Sequence, residues 1–119
     1  GNLVHIDFGF LLGTSPGGNM GFETAAFKLS KEMFQLLGGS ETADPFREFL
    51  DLTVEAFLCI RKYWSEISSL VNCMADSGLP CFLPDTLTKL KNRFTPELSE
   101  SQAAQGMLVR VGECVVCDG

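Results

Sequence analysis

Apolar residues follow a helical pattern through the middle of the chain. Between residues 46 and 74 they recur at steps of three and four, the spacing that places side chains on one face of a helix. Asp44 and Pro45 come just before, as a helix cap and a proline in the first turn, where its missing N–H costs nothing. We therefore predict one long helix, or two in tandem with a hinge near Trp64 and Ser65. The aromatic residues of the stripe are predicted to pack in the core rather than to bind a ligand: Phe46, Phe49, Phe57 and Trp64.

Shorter helices are predicted on both sides of this stripe. Residues 30–37 carry apolar side chains at helical spacing, and two glycines follow them as a C-terminal stop. After Gly-Leu-Pro at residues 78–80, apolar residues within 87–94 indicate a short amphipathic helix. Ser99 and Gln102 have the spacing of a capping box, which predicts the start of a last helix.

The N-terminal part of the chain has a different pattern. Residues 3–6 are β-prone and lead to Asp7, which predicts a short buried strand with an acidic residue at its end. Residues 13–21 contain four glycines and a proline, so they can hold neither a helix nor a central strand. We predict a loop from residue 7 to 22, followed by four or five packed helices. The fold class is mainly α, and it does not by itself identify a function.

The composition fits one soluble domain and disfavours several functions. With 119 residues, of which 45% are hydrophobic, the chain can bury a core, and no uncharged apolar run approaches the roughly 18 residues of a membrane span. The formal net charge of −6 would repel phosphate backbones, so nucleic acid is not expected as a partner. Cys114 and Cys117 lack two further zinc ligands, so reduced thiols without a metal are predicted. Because the first residue is Gly1 and not a methionine, we expect a piece of a larger protein.

The sharpest local signal is the string His5-Ile-Asp-Phe-Gly9. An aspartate at the end of a strand, followed by an aromatic residue and a glycine, is the metal-binding element of kinases. In this arrangement the carboxylate of Asp7 holds Mg2+ on the nucleotide phosphates, Phe8 packs to fix its direction, and Gly9 lets the backbone turn. As a bare tripeptide the motif also occurs by chance in many proteins.

A wider string makes the motif specific. The stretch from Gly1 to Phe10, then Ser-Pro-Gly-Gly-Asn-Met-Gly-Phe-Glu-Thr at 15–24 and Ala-Phe-Lys-Leu at 26–29, closely resembles the activation segment of the type III phosphatidylinositol 4-kinases. The Gly-Phe-Glu-Thr and Ala-Phe-Lys-Leu pieces look most like the beta type. Further pieces continue the resemblance in the family's order: Arg61-Lys62, Ser-Gly-Leu-Pro-Cys-Phe at 77–82, and Leu-Lys-Asn-Arg-Phe at 90–94.

The resemblance implies a fold and a reaction. Residues 1–105 would form the helical C-terminal lobe of a protein-kinase-like fold, partial and starting after the catalytic loop, and 106–119 a divergent tail. The parent enzyme would be an α+β phosphatidylinositol 4-kinase that transfers the ATP γ-phosphate to the 4-hydroxyl of phosphatidylinositol with Mg2+, or with Mn2+. Asp7 would be the catalytic metal ligand, and Phe8 and Gly9 would complete the cofactor site. The ATP lysine and the catalytic loop are absent, so the fragment alone is expected to be inactive without the missing N-terminal lobe and catalytic loop of its parent. The parent would act in phosphoinositide signalling, in the cytoplasm, peripheral to Golgi or other internal membranes.

The loop itself indicates the substrate class. Between Asp7 and Phe27 there is no Lys or Arg, whereas a lipid that already carries extra phosphates needs cations for those dianions. Unphosphorylated phosphatidylinositol is therefore the expected substrate. Candidate substrate contacts are Ser15, Pro16, Gly17, Gly18, Asn19 and Lys28.

Two alternatives stay open. Charge does not tell which hydroxyl is attacked, so a 3-kinase acting on unphosphorylated phosphatidylinositol fits the loop as well. A non-catalytic helical interaction module, a pseudokinase remnant, would keep the helices without the reaction. The only basic cluster, Lys89, Lys91 and Arg93, is predicted to be a solvated helix surface on which Lys89 and Arg93 share a face.

Overall fold

The computed structural model describes residues 1–2, 4–6, 8–14 and 29–116, without the side chains of 114–116. Five α-helices account for most of these residues, which confirms the mainly α fold class. They are α1 (Lys31–Leu36), α2 (Asp44–Arg61), α3 (Trp64–Cys73), α4 (Thr86–Phe94) and α5 (Glu100–Val116). The chain divides into two compact units, one of residues 1–24 with 65–93 and the other of 25–64 with 94–119. No helix among the described residues is both long enough and apolar enough to cross a membrane.

The second unit is built around the packing of α2 against α5. Phe46 on α2 is only 2% exposed, and its ring meets that of Phe34 on α1 edge to face at 5.3 Å between centroids. On α5, Ala103 and Val111 are buried two helical turns apart, so they lie on one face of the helix. Leu29, just before α1, is also buried. The predicted packing role of Phe46 is confirmed.

Local signals set the ends of α1. The hydroxyl of Ser30 accepts a hydrogen bond from the backbone N–H of Met33 at 3.3 Å, which satisfies a donor that the helix leaves free. At the other end, Gly38 has φ +103°, a conformation that favours glycine. A Cβ added at Gly38 would lie 2.6 Å from the Cβ of Ala43. The positive φ and this close approach each require glycine in the connection between α1 and α2.

The central apolar stripe forms two helices, as one of the two sequence-based alternatives predicted. The break comes at residues 62–63, where the N–H of Tyr63 bonds to the carbonyl of Ile60 at 2.9 Å, slightly before the predicted hinge. Asp44 is the first residue of α2 rather than its cap, a position that Ala43 takes without a side-chain hydrogen bond. Its carboxylate still lies at the positive end of the helix dipole.

The last helix begins at the predicted capping box. The Ser99 hydroxyl accepts a hydrogen bond from the Gln102 N–H at 3.3 Å, and the Ser99 N–H donates to the Gln102 side-chain oxygen at 3.0 Å. These reciprocal bonds confirm the start of α5, which then continues to Val116 across the predicted boundary of lobe and tail at residue 106.

The predicted buried strand at the N-terminus is not found in described residues 4–6. These residues are not in a strand and are exposed, Val4 by 73% and Ile6 by 82%. A strand is stabilised by hydrogen bonds to a neighbouring strand and by burial of one face. The described part of the chain contains no strand to supply either, so β-propensity alone does not produce one here.

Candidate functional site

The described residues of the kinase-like motif, Phe8 and Gly9, are exposed. Phe8 is 66% exposed and Phe10 53% exposed, and residues 8–9 form a turn. Asp7, the predicted metal ligand, lies outside the described residues. Because the ring of Phe8 is mostly exposed, the described residues do not show it packed as the motif requires. The roles of Asp7, Phe8 and Gly9 therefore stay predictions.

A tight turn follows the motif at residues 11–14. The Thr14 hydroxyl accepts a hydrogen bond from the Leu11 N–H at 3.1 Å and donates one to the Leu11 carbonyl at 2.7 Å. The Thr14 N–H bonds to the same carbonyl at 3.1 Å. Leu12 has φ +57°, which is uncommon for a residue with a side chain. Thr14 thus closes a turn whose backbone carries strain at Leu12.

Helix α4 contributes the polar side of a cavity in the same unit. The cavity has a volume of about 490 Å³, and its walls include Leu12 and Gly13 from the turn together with Lys89 and Arg93 from the helix. Lys91 does not line it. The predicted shared face of Lys89 and Arg93 is confirmed, and this face borders the loop that follows the motif.

An ion pair between Lys89 and Asp85 lies at this cavity. The ammonium of Lys89 is 2.7 Å from a carboxylate oxygen of Asp85, four residues earlier on the helix. The hydrogen bond from Lys89 lowers the pKa of the Asp85 carboxyl below its ordinary value, so the carboxylate is charged at neutral pH. Both side chains are more than half exposed, which keeps the net contribution of such a pair to stability small.

The start of α4 is fixed by a buried threonine. Thr86 is 7% exposed, accepts a hydrogen bond from the Leu83 N–H at 2.8 Å and donates to the Cys81 carbonyl at 3.3 Å. These bonds join the first residue of α4, the helix that carries Lys89 and Arg93, to residues 81 and 83 just before it.

Arg61, the last residue of α2, joins that helix to the segment after α4 within the second unit. The sequence did not predict this structural role. The Arg61 guanidinium donates hydrogen bonds to the carbonyls of Phe94 at 2.9 Å and Thr95 at 2.7 Å, and to that of Leu98. Thr95 has φ +43°, although β-branched residues avoid this region. The sequence does show that Arg61 lies within the apolar repeat that forms α2 and α3. A charged side chain at such a position needs hydrogen-bond partners when it becomes partly buried.

The described residues do not form a metal site made of several protein ligands. They contain no group of three or more His, Cys, Asp or Glu side chains that could hold a metal ion. Mg2+ is usually bound by one or two carboxylates, with phosphates and waters completing its coordination. A single carboxylate such as Asp7 fits that mode of binding, in which the nucleotide supplies part of the shell.

The predicted substrate-contact residues lie outside the residues that the structure describes. Ser15, Pro16, Gly17, Gly18, Asn19 and Lys28 lie in the part of the chain that the structure does not describe. Their predicted contacts with substrate are therefore not tested by the geometry.

Comparison with known proteins gives consistent matches. A family model described as phosphatidylinositol 3- and 4-kinase matches residues 1–83. The chain is 52% identical over 111 residues to phosphatidylinositol 4-kinase alpha 2 of Arabidopsis thaliana, covering 91% of this chain and 21% of that protein. It is 47% identical over 109 residues to the 4-kinase stt4 of Schizosaccharomyces pombe, covering 91% of this chain and 6% of that protein.

A beta-type relative is similar at a lower level. Identity to phosphatidylinositol 4-kinase beta 1 of Arabidopsis thaliana is 40% over 114 residues, covering 91% of this chain and 10% of the relative. The matches thus include both types, and overall identity does not single out the beta type that the short motifs resemble. The chain spans at most about a fifth of the length of these relatives.

Proposed function

Since this chain belongs to the phosphatidylinositol 3- and 4-kinase family, we propose that it is part of an enzyme that transfers the ATP γ-phosphoryl group to the 4-hydroxyl of phosphatidylinositol. The observation that carries the proposal is the family match over residues 1–83, which includes the Asp-Phe-Gly motif. Relatives named as phosphatidylinositol 4-kinases, at 40–52% identity, favour the 4-hydroxyl.

Asp7 is the residue to which we assign the metal. A bound Mg2+ or Mn2+ would supply positive charge to the phosphates of ATP. The chain's own contribution is a carboxylate that would bind and orient the ion, with Phe8 packing to fix the direction of the carboxylate and Gly9 letting the backbone turn. Ser15, Pro16, Gly17, Gly18, Asn19 and Lys28 are assigned to the lipid side of the same site.

The substrate assignment rests on charge. The absence of Lys and Arg between Asp7 and Phe27 leaves this loop without partners for additional phosphate dianions. The proposed substrate is therefore phosphatidylinositol without further phosphates on its ring. We propose that residues 1–105 belong to the C-terminal lobe, that 106–119 form a divergent tail, and that the enzyme works on the cytoplasmic surface of Golgi or other internal membranes.

One second candidate follows from the family match. The matched model covers 3-kinases as well as 4-kinases, and a 3-kinase that uses plain phosphatidylinositol would need the same cation-poor loop. The position of the transferred phosphate on the inositol ring distinguishes the 3-kinase from the 4-kinase.

The test is a kinase assay on the complete protein that carries this chain, with ATP, Mg2+ and phosphatidylinositol. We expect a product phosphorylated at the 4-position, and Asp7→Asn should lower turnover about a thousandfold, since loss of the metal ligand removes about 4 kcal/mol of transition-state stabilisation. The control is Asp51→Asn, which changes an exposed aspartate on α2 and should leave turnover unchanged.

Two results would contradict the proposal. Near-normal turnover of Asp7→Asn would remove the metal role from this residue. A wild-type product labelled only at the 3-position would replace the 4-kinase by the 3-kinase.

A further inference from the structure

The second unit has a groove along α2, which we call the α2 groove. Its volume is about 530 Å³, in the range of pockets that hold ligands. Residues at steps of three and four line its α2 side: Asp51, Val54, Glu55, Leu58, Cys59 and Lys62. Because residues at this spacing share one face of a helix, the groove extends along about three turns of α2.

Helix α5 contributes the other side of the α2 groove. Glu100, its first residue, and Leu108, just over two turns later, both line the groove. The guanidinium of Arg61 donates a hydrogen bond to the carbonyl of Leu98, so the start of α5 lies near the end of α2. All of these residues belong to the second unit, and the groove is therefore a feature of that unit alone.

The apolar part of the α2 groove is only partly covered by the chain itself. Val54 and Leu58, one turn apart on α2, are half-buried, and Leu108 on α5 is 36% exposed. Apolar side chains between two packed helices can be buried further by a third helix that lays its own apolar face against them. Insertion of an amphipathic helix into such a groove is a recurrent mode of protein recognition.

The charges of the α2 groove determine which helix would fit. Three carboxylates, those of Asp51, Glu55 and Glu100, line it against the single ammonium of Lys62, which leaves two net negative charges. In the described part of the chain, none of the three carboxylates lies within ion-pair distance of a cation. Lys62 and Glu100 lie at the same end, so the uncompensated charge is at the other end. Such a groove attracts Lys and Arg side chains and repels anionic lipids and nucleic acids.

We propose that the α2 groove binds an amphipathic helix of a partner protein that carries Lys or Arg beside its apolar face. The apolar side chains of this helix pack against Val54, Leu58 and Leu108. Its cations pair with Asp51 and Glu55, at the end of the groove with uncompensated charge. The inference goes beyond the proposed function and does not depend on it, because the residues assigned to the metal and the lipid all lie within 7–28.

The direct test measures peptide binding to the 119-residue chain by fluorescence anisotropy. The probe is a labelled peptide of about 15 residues, or four helical turns, with leucines along one face and lysines beside them. One comparison peptide has glutamate in place of each lysine, and another has the same composition in a scrambled order without an apolar face. We expect the basic amphipathic peptide to bind about tenfold more tightly than either comparison peptide.

Variants of the carboxylates test the assigned contacts. Asp51→Asn combined with Glu55→Gln should weaken binding of the basic peptide about tenfold, because two ion pairs are lost. The control is Glu41→Gln combined with Glu113→Gln, which removes the same charge at exposed positions of the same unit outside the groove. It should change binding less than about twofold.

A further variant controls for folding and for the sign of the charge effect. Lys62→Gln removes the single cation of the groove and should tighten binding about twofold, opposite in direction to the carboxylate variant. Far-UV circular dichroism of each variant identifies any loss of helix. If the carboxylate variant loses helix, the decision passes to Lys62→Gln, where unchanged or weaker binding would count against the groove.

Two cysteines locate the bound peptide on the molecule. Cys59 and Cys73 are both exposed free thiols, but Cys59 lines the α2 groove and Cys73 belongs to the other unit. Saturating basic peptide should slow alkylation of Cys59 by N-ethylmaleimide about fivefold and leave that of Cys73 unchanged, as measured by mass spectrometry. The same measurement applies to the complete protein that carries this chain.

Several outcomes would overturn the proposal. Equal binding of the scrambled peptide would mean attraction by net charge alone, and unprotected Cys59 would place the peptide elsewhere. Equal weakening by the control pair of glutamate variants would remove the role of the groove carboxylates. Self-association of the chain in sedimentation that the carboxylate variant abolishes would assign the groove to a second copy. Phosphatidylserine vesicles that bind and are displaced by the peptide would assign it to a membrane.

Discussion

The packed helices of the second unit and the N-terminal segment of the first unit use apolar residues in opposite ways. Phe46 and Val111 are 2% and 1% exposed, whereas Ile6 and Phe8 are 82% and 66% exposed. Both regions are similarly apolar in sequence. Helices α2 and α5 bury the apolar side chains of Phe46, Ala103 and Val111, and the described N-terminal residues 4–12 bury none.

This difference indicates that the stability of the chain depends on one region and the proposed reaction on another. The second unit has close ring contacts, buried positions at helical spacing, and an arginine bonded to three carbonyls. The motif assigned to phosphoryl transfer adjoins residues with little burial to lose. Substitutions in the helices should therefore change the free energy of unfolding, and those near the motif should change mainly function.

The largest effect on stability is expected from Phe46→Ala. It should lower the free energy of unfolding by about 4 kcal/mol, because a buried ring is lost and a cavity remains. Urea denaturation followed by the fluorescence of Trp64, the single tryptophan, measures this value. Leu52→Ala, at a side chain 56% exposed, is the control, and a loss as large as that of Phe46→Ala would contradict the assignment of the core.

Arg61→Ala should have the next largest effect, about 3 kcal/mol, because three carbonyls lose a charged donor. Arg61→Lys should lose most of the same stability, since an ammonium cannot reproduce the planar set of donors. The same denaturation experiment applies. Lys62→Ala, one residue further at an exposed position, should cost less than about 0.5 kcal/mol; a similar cost at both positions would argue against a specific role for Arg61.

One matched pair of substitutions tests the comparison directly. Val111→Thr should lower the free energy of unfolding by about 2 kcal/mol, because it buries a hydroxyl in an apolar environment. Val4→Thr is the same chemical change at a side chain 73% exposed and should cost less than about 0.5 kcal/mol. If the two costs were equal, the N-terminal segment would be as well packed in solution as the helices.

The smallest predicted change is a gain. Thr95→Gly should raise the free energy of unfolding by about 1 kcal/mol, because glycine adopts the positive φ of this turn without steric cost. Thr95→Val keeps the branched Cβ and should give no gain. Thermal denaturation of both variants measures the difference, and a destabilised glycine variant would show that other contacts of Thr95 outweigh its strain.

Local rules predicted most of the helices. Ser30, the glycines after α1, and the Ser99–Gln102 box each determine a helix end through bonds between near neighbours, so the sequence contains all the information needed. The apolar period likewise located the stripe of α2 and α3. Asp44 was predicted as the N-cap but is the first residue of α2. The sequence does not distinguish the two positions, because aspartate is favoured both at the N-cap and in the first turn of a helix.

The misses have a common physical origin. A strand at residues 3–6 depends on a partner strand, which local propensity does not contain. The role of Arg61 and the cavity beside Leu12 depend on residues more than 30 positions away, and no periodicity encodes such pairs. The resemblance of the motif and of the strings that follow it predicted the family correctly.

The burial of Leu29 has a consequence for engineering. This side chain anchors the backbone immediately after the predicted substrate loop, at 6% exposure, while Thr14 fixes a turn just before it. Each of these two flanking residues is thus held within its own unit. Swapping residues 15–28 for the equivalent stretch of another inositide kinase should therefore transplant lipid preference while leaving the melting temperature of the host almost unchanged.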